Sequence, residues 1–456
     1  MDVNLNFKKA LVLGLGISGL KIAEFLKNEG IDVIVNDYKK EDSFKDVIPL
    51  LKEKDIDFFF GDHPVELLQD IDLLVLSPGI PKTNPIYQEA IKRNLKIVGE
   101  IELAYWFAKV PIIAVTGTKG KSTTTTLIGE ILNGAKIDNV VAGNIGLPFI
   151  SVVKDLDKGY FVLEVSSFQL EDIESFRPYI SVFTNIYPDH LDRYGSMNEY
   201  IEAKERIFMN QQEEDFAILN YDQDIIREVA KKYPVNKLYF SENPIKEYGI
   251  YFDKNKLIYH TENKNGFMNP SPNGLWNSIL LKNFMAASLV GLILGIDEKV
   301  IEDVGNRFKG IPFALEKVDT VNGRVFINDS KATNPISTIL AIKSINASIV
   351  LILGGRNKNF DFTELFESIK QNGNVKHVVL IGETKNIMRD LAKSYNISYE
   401  EANTLEEAVK KAYYLSDFGD VVLLSPACAS FDMFENYKER GKAFNKIVER
   451  LKNEKI

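Results

Sequence analysis

The sequence predicts an α/β chain of three domains, and three observations carry that expectation. Short apolar runs closing on Gly, Asn, Asp or Ser alternate with helical patterns over most of the chain, which is the rhythm of strand–helix units in parallel sheets. These runs fall into three series. The length, 456 residues, exceeds what one hydrophobic core ordinarily supports.

The first series holds runs at 10–13, 33–35 and 73–76 and closes on a helix-like stretch at 100–108. After its first run comes Gly14-Leu15-Gly16-Ile17-Ser18-Gly19, and Asp37 ends the second. Glycines so spaced between strand and helix let the backbone approach a phosphate closely. Residues 1–105 therefore read as a Rossmann-like domain. By itself the motif spells a dinucleotide site, which would make the protein an oxidoreductase.

The second series begins at 111–115 and runs into Thr116-Gly117-Thr118-Lys119-Gly120-Lys121-Ser122-Thr123, followed by a helix with Leu127, Ile128, Ile131 and Leu132 on one face. Gly117 and Gly120 free backbone N–H groups to point inward, and the helix N-terminus adds partial positive charge. Lys121 can reach the terminal phosphates of ATP and Ser122 can ligate Mg2+. Val115 stands where the general spacing has glycine, and the plain alternative is a glycine turn with a surface lysine. The series continues through 160–165, 180–183 and 216–219 and ends near Gly310, giving a central P-loop ATPase-type parallel sheet over residues 106–310. Between 237 and 268 the texture changes to short β-rich pieces with Asn, Lys and Gly turns, which predicts a small antiparallel insert.

Within the second series, Ser196 and Glu199 have capping-box spacing, and the helix they open puts Met197, Tyr200, Ile201, Ile207 and Phe208 on one face together with Lys204. A buried ammonium must find an anion, lose its proton or be chemically changed. A neutral lysine can add carbon dioxide to become a carbamate, an anionic oxygen ligand. Upstream, His190 sits in a loop after one strand and Glu164 at the end of another. With Ser122 and a carbamylated Lys204 they would suit one or two Mg2+ ions. The alternative is a snorkelling Lys204 and a capping His190.

The third series holds 324–327, 349–353, 377–381 and 421–424 with helical connections such as 404–415. It forms a second Rossmann-like domain over 311–456, set off by a hinge at Gly310, Ile311 and Pro312. Segments 329–333, 354–358 and 425–437 all follow strands, so they would gather at the carboxyl edge of one sheet, where α/β folds bind ligands.

Composition excludes several classes. With 55 Lys and Arg against 64 Asp and Glu, net charge -9, and both signs mixed along the chain, nothing tracks a nucleic-acid backbone. The first nine residues lack the apolar core of a signal peptide and no apolar run would span a bilayer. A cytoplasmic enzyme acting on small molecules, as a monomer, is expected. Cys428 is the only cysteine, which rules out an intramolecular disulfide and a cysteine-rich metal cluster.

The chain resembles the Mur ligases of peptidoglycan synthesis. The likeness is carried by 117–123, Gly143-Asn144-Ile145-Gly146, 164–169, 185–192, Ala203-Lys204-Glu205-Arg206, Asn328-Asp329-Ser330-Lys331-Ala332-Thr333-Asn334, Gly354-Gly355 and 424–430. It implies that ATP phosphorylates the carboxylate of UDP-N-acetylmuramoyl-L-alanine and that the amine of D-glutamate displaces the phosphate. It further implies that Lys121 binds phosphates, that Ser122 and Glu164 hold one Mg2+, and that His190 with carbamylated Lys204 holds the other. Gly117, Thr118, Lys119, Gly120 and Thr123 would complete the ATP site with Asn283 and Asp329. Leu15, Gly16, Ile17, Asp37, Tyr38, Gly79, Asn144 and His190 would take the UDP substrate, which turns the N-terminal glycine motif into a UDP site. Lys331, Thr333, Lys358, Ser430, Phe431 and Tyr437 would take D-glutamate, Lys331 also being catalytic.

Two positions depart from the family. Its His-Asn-x-x-Asn reads Ile279-Leu280-Leu281-Lys282-Asn283, and its His-Arg after the hinge reads Phe313-Ala314. Lys119, where many relatives have asparagine, would restore positive charge near the phosphates.

Overall fold

A computed structural model describes residues 7–262, 264–269, 278–308, 310–358 and 360–453. The strands at 9–13, 73–76, 112–116 and 349–354 are apolar and buried almost throughout, as strands covered by helices on both faces must be. They sit in three separate sheets.

The first sheet is all parallel, with order Asp57–Phe60, Asp32–Asp37, Lys9–Leu13, Leu73–Leu76, Lys96–Gly99. The order reverses direction at Lys9–Leu13, which leaves the glycine loop after that strand at the switch point. The central sheet has nine strands among the described residues. Ile112–Thr116 lies inside it between Tyr160–Glu164 and Ile180–Phe183. The predicted antiparallel insert is present and joins the central sheet. Asn236–Ser241 pairs in parallel with Phe216–Asn220, and the antiparallel hairpins Gly249–Asp253, Lys256–His260 and Asn265–Met268 extend the same sheet outward. The third sheet is mixed, because Glu316–Val321 runs antiparallel to Arg324–Asn328, ahead of the parallel strands Val421–Leu424, Ile349–Gly354, Val375–Ile381 and Tyr399–Glu401.

The first two sheets belong to one compact unit and the third to another. Among the described residues no helix is long and apolar enough to cross a membrane.

The first and central sheets are joined by a short helix, Glu100–Tyr105, that buries two carboxylates. Glu102 accepts the backbone N–H groups of Glu174, Ser175 and Phe176. Glu100 accepts Ile150 N–H at 2.8 Å and, at 3.4 Å, the Gln169 amide. Burial pushes its pKa up to about 7. Because the folded state then holds the proton more tightly than the unfolded chain, stability falls as pH rises from the ordinary carboxylate range through 7, by about 3 kcal/mol. Glu100→Gln should therefore gain stability relative to the wild type between pH 5 and pH 8, as read by denaturant midpoints. A difference independent of pH would count against it.

Candidate active site

The phosphate loop is held by its neighbours, not only by its own sequence. Gly117 has φ +137°, and a Cβ there would overlap the Thr184 hydroxyl. That hydroxyl donates to Lys119 O at 2.7 Å, while the Asn185 amide accepts Lys119 N–H and donates to Lys119 O, both at 2.8 Å. Gly120 adopts a left-handed conformation and opens the helix Lys121–Gly134, whose first turn carries Ser122 and Thr123. Asn283 lies against Gly120. Lys121 folds back so that Nζ donates to the carbonyls of Gly117 and Thr118 at 3.0 Å. An ammonium resting on neutral carbonyls beside a helix N-terminus can exchange them for phosphate oxygens.

Lys204 comes from the helix Met197–Glu205. Ser196 caps it by accepting Glu199 N–H, but the reciprocal bond expected of a capping box is not made, since Ser196 N–H goes to Tyr194 O. Tyr200, Ile201, Ile207 and Phe208 of the expected face are buried and Met197 is half-buried, and Arg206–Phe208 tightens into a 3₁₀ turn. Lys204 is 1% exposed. Its Nζ donates to Gly117 O at 2.9 Å and lies 4.8 Å from the centre of the Tyr200 ring. Burial holds its pKa well below the ordinary lysine value, and the charge of Lys121 adds to that, against opposing pulls from Asp189 and Glu164. The predicted buried lysine thus lies against the glycine loop.

Glu164 ends its strand in register with Val115 on one side and Gly143 on the other. Its Oε1 accepts the Asn144 amide at 2.8 Å, and its Oε2 is buried with no hydrogen-bond partner. His190 is exposed, with φ +55°, and packs edge-on against Phe168 at 4.9 Å. Its ring is 6.4 Å from that of Tyr200, whose hydroxyl bonds Thr118 Oγ1 at 3.2 Å. Lys121 and Lys204 thus share the Gly117 carbonyl, and Tyr200 lies between Lys204 and His190, while Glu164 acts on Lys204 through its charge. Sequence reasoning took Tyr200 only as an apolar face residue and missed its hydroxyl; it also passed over Asp189, one residue from His190.

In the first sheet, Asp37 Oδ2 accepts Leu15 N–H at 2.8 Å and Oδ1 accepts Lys39 N–H at 3.0 Å. Leu15 is buried, whereas Gly16, Ile17 and Tyr38 are exposed. A cleft of about 1020 Å³ is lined by Gly79, Phe168, His190 and Arg193 among others. Arg193 donates to the carbonyls of Gly79 and Ile80 and pairs with Glu171. The N-terminal loop at Gly79 is thereby tied to the loop carrying His190.

In the unit built on the third sheet, Asp329 is buried, with its carboxylate accepting Leu315 N–H at 3.2 Å and the Ser425 hydroxyl at 2.7 Å. Lys331 and Lys358 are exposed, Ser430 is buried and Thr333 half-buried. Lys358 Nζ is 5.8 Å from the centre of the exposed Phe431 ring. Tyr437 opens the last helix, and its carbonyl accepts the Ser330 hydroxyl at 2.8 Å. Phe313, at the first departure from the family after the hinge, packs on Gly441, and its carbonyl accepts Lys331 N–H at 2.9 Å. Among the described residues no three His, Cys, Asp or Glu side chains cluster as a metal site.

Three family models match the chain: the MurD-like N-terminal domain over residues 8–99, the Mur ligase middle domain over 115–291, and the Mur ligase glutamate ligase domain over 315–428. The UDP-N-acetylmuramoylalanine--D-glutamate ligase of Alkaliphilus oremlandii is 42% identical, over 99% of this chain and 100% of its own. The protein of the same name from Thermoanaerobacter pseudethanolicus is also 42% identical with the same coverage. Among solved structures, a pseudomurein peptide ligase type C from Methanothermus fervidus has the same fold at 19% identity and TM-score 0.58, covering 97% of this chain and 100% of that one.

Proposed function

The chain belongs to the Mur ligase family, and from that membership we propose that it joins D-glutamate to UDP-N-acetylmuramoyl-L-alanine at the expense of ATP, in the cytoplasm and as a monomer. The full-length likeness to D-glutamate ligases carries the choice of amino acid. The domains run 1–105 for the UDP substrate, 106–310 for ATP and 311–456 for the amino acid.

The γ-phosphoryl group of ATP passes to the substrate carboxylate, giving an acyl phosphate and ADP. The amine of D-glutamate then attacks the carbonyl carbon, and the C–O bond to phosphate breaks as the amide forms. Such transfer depends on positioning and charge neutralisation. Lys121 leaves its two carbonyls to bind the terminal phosphates, with Gly117, Thr118, Lys119, Gly120 and Thr123 around them and Asn283 against the loop. Asp329 receives the ribose. Gly16, Ile17, Tyr38 and Gly79 contact the UDP moiety, with Asp37 holding the Leu15 loop for it. Asn144 and His190 orient the muramoyl end. Lys331, Thr333, Lys358, Ser430, Phe431 and Tyr437 hold D-glutamate, whose two carboxylates suit two exposed lysines.

The orphan Oε2 of Glu164 fits a cation. Ser122 and Glu164 would hold one Mg2+, and His190 with carbamylated Lys204 the second; the ions supply charge neutralisation at the phosphates. A neutral lysine forms the carbamate when its nitrogen bonds the carbon of CO2 and releases a proton. The product keeps one N–H, as the bond to Gly117 O requires.

The reading is tested by phosphate release from ATP-Mg2+ and UDP-N-acetylmuramoyl-L-alanine with a panel of amino acids. Release is expected with D-glutamate and not with L-glutamate, L-lysine or diaminopimelate. Equal rates with all of them, or release without the sugar nucleotide, would sink it.

A further inference from the structure

The last helix, Tyr437–Asn453, buries a cation that no sequence motif marks. Arg440 is 0% exposed. Its Nε donates to the Ser330 hydroxyl at 3.0 Å, and its Nη2 donates to the carbonyls of Ser330 at 2.9 Å and Cys428 at 3.0 Å. The remaining nitrogen, Nη1, is buried with no hydrogen-bond partner. It faces Gly355, at φ +145°, so closely that a Cβ there would come within 3.3 Å of it and would also overlap Ala429 O.

A guanidinium so enclosed is costly to desolvate, and hydrogen bonds to neutral oxygens offset that cost only in part. Burial accordingly pushes its pKa down to about 10. A hydrophobic side chain would fill the space at less cost, so the planar fork has a geometric use. The three segments it meets follow the strands Arg324–Asn328, Ile349–Gly354 and Val421–Leu424, which are neighbours in the sheet. Lys331 follows Ser330, Lys358 lies three residues after Gly355, and Ser430 two residues after Cys428.

We propose that Arg440 is a positioning residue for D-glutamate capture, one guanidinium bonding the strand-end loops at Ser330 and Cys428 and packing against the third at Gly355, loops whose next residues bind the amino acid. This rests on the amino-acid assignment made above. Arg440 is closed to solvent and acts by holding the carbonyls of Ser330 and Cys428, with Gly355 packed against its Nη1.

Arg440→Lys keeps the charge but cannot serve Ser330 and Cys428 through one fork. It should raise KM for D-glutamate about tenfold while KM for ATP and for UDP-N-acetylmuramoyl-L-alanine stay within about twofold. Ser330→Ala removes the hydroxyl that accepts from Arg440 Nε and donates to the Tyr437 carbonyl, and leaves the Arg440 bonds to the Ser330 and Cys428 carbonyls in place; it should raise KM for D-glutamate about threefold in the same selective way. It decides the matter if the lysine variant does not fold. A fall in melting temperature with KM for D-glutamate unmoved means a role in stability only and overturns the inference. So does an equal rise in all three KM values. The wild type is measured first: no D-glutamate-dependent phosphate release there defeats the assigned reaction, whereas an active wild type with unmoved variants defeats only the role of Arg440.

Discussion

Lys121→Ala lowers kcat/KM for ATP by about 100- to 1,000-fold, equivalent to roughly 3–4 kcal/mol of lost transition-state stabilisation. The side chain donates to two backbone carbonyls of its own loop, and its removal leaves the fold intact and the phosphates without a flexible cation. Lys121→Arg restores little, because a planar fork does not replace a compact ammonium in a glycine-lined cradle. Steady-state kinetics with ATP varied, alongside a melting curve, separates the two effects. Unchanged kcat/KM in a folded Lys121→Ala protein would remove the glycine loop from the chemistry.

Lys204→Met gives the second large effect, and its two readouts move apart. Turnover falls about 1,000-fold, while stability holds or rises, since a buried, desolvated amine is exchanged for an apolar chain of similar length. A side chain that served only packing would lose both together. The carbamate makes a further demand: in buffer stripped of carbon dioxide the wild type loses activity and recovers it when bicarbonate is returned. Full activity after prolonged stripping would exclude the carbamate while leaving the need for Lys204 standing. Lys204→Arg stays inactive in either case, because a guanidinium can neither lose its proton nor fit a position 1% exposed.

Much of the central site was legible because it is local. A strand, two glycines, a lysine and a helix follow one another within 112–134, and each is needed where it stands for the backbone to enclose a phosphate. Lys204 was legible one step further out, since helical periodicity alone set it among apolar residues. The insert was legible as short antiparallel strands, but periodicity does not say which edge they join, and the structure places them on the outer edge of the central sheet. The edge strands Asp57–Phe60, Lys96–Gly99, Asn139–Gly143, Glu316–Val321 and Tyr399–Glu401 were not read as strands; several are short or only partly buried, so their apolar signal is weak.

By itself the sequence determined the three α/β series, the phosphate loop and the family, all of which depend on residues near one another in the chain. Only the tertiary structure decided that Lys204 donates to Gly117, that Glu164 keeps one oxygen unpaired, that Glu100 holds its proton near neutrality and that Arg440 bridges the loops at Ser330 and Cys428. Each of these depends on the loss of water around a polar group and on partners up to 110 residues away, and burial of that kind is set by packing between elements, which no local pattern records.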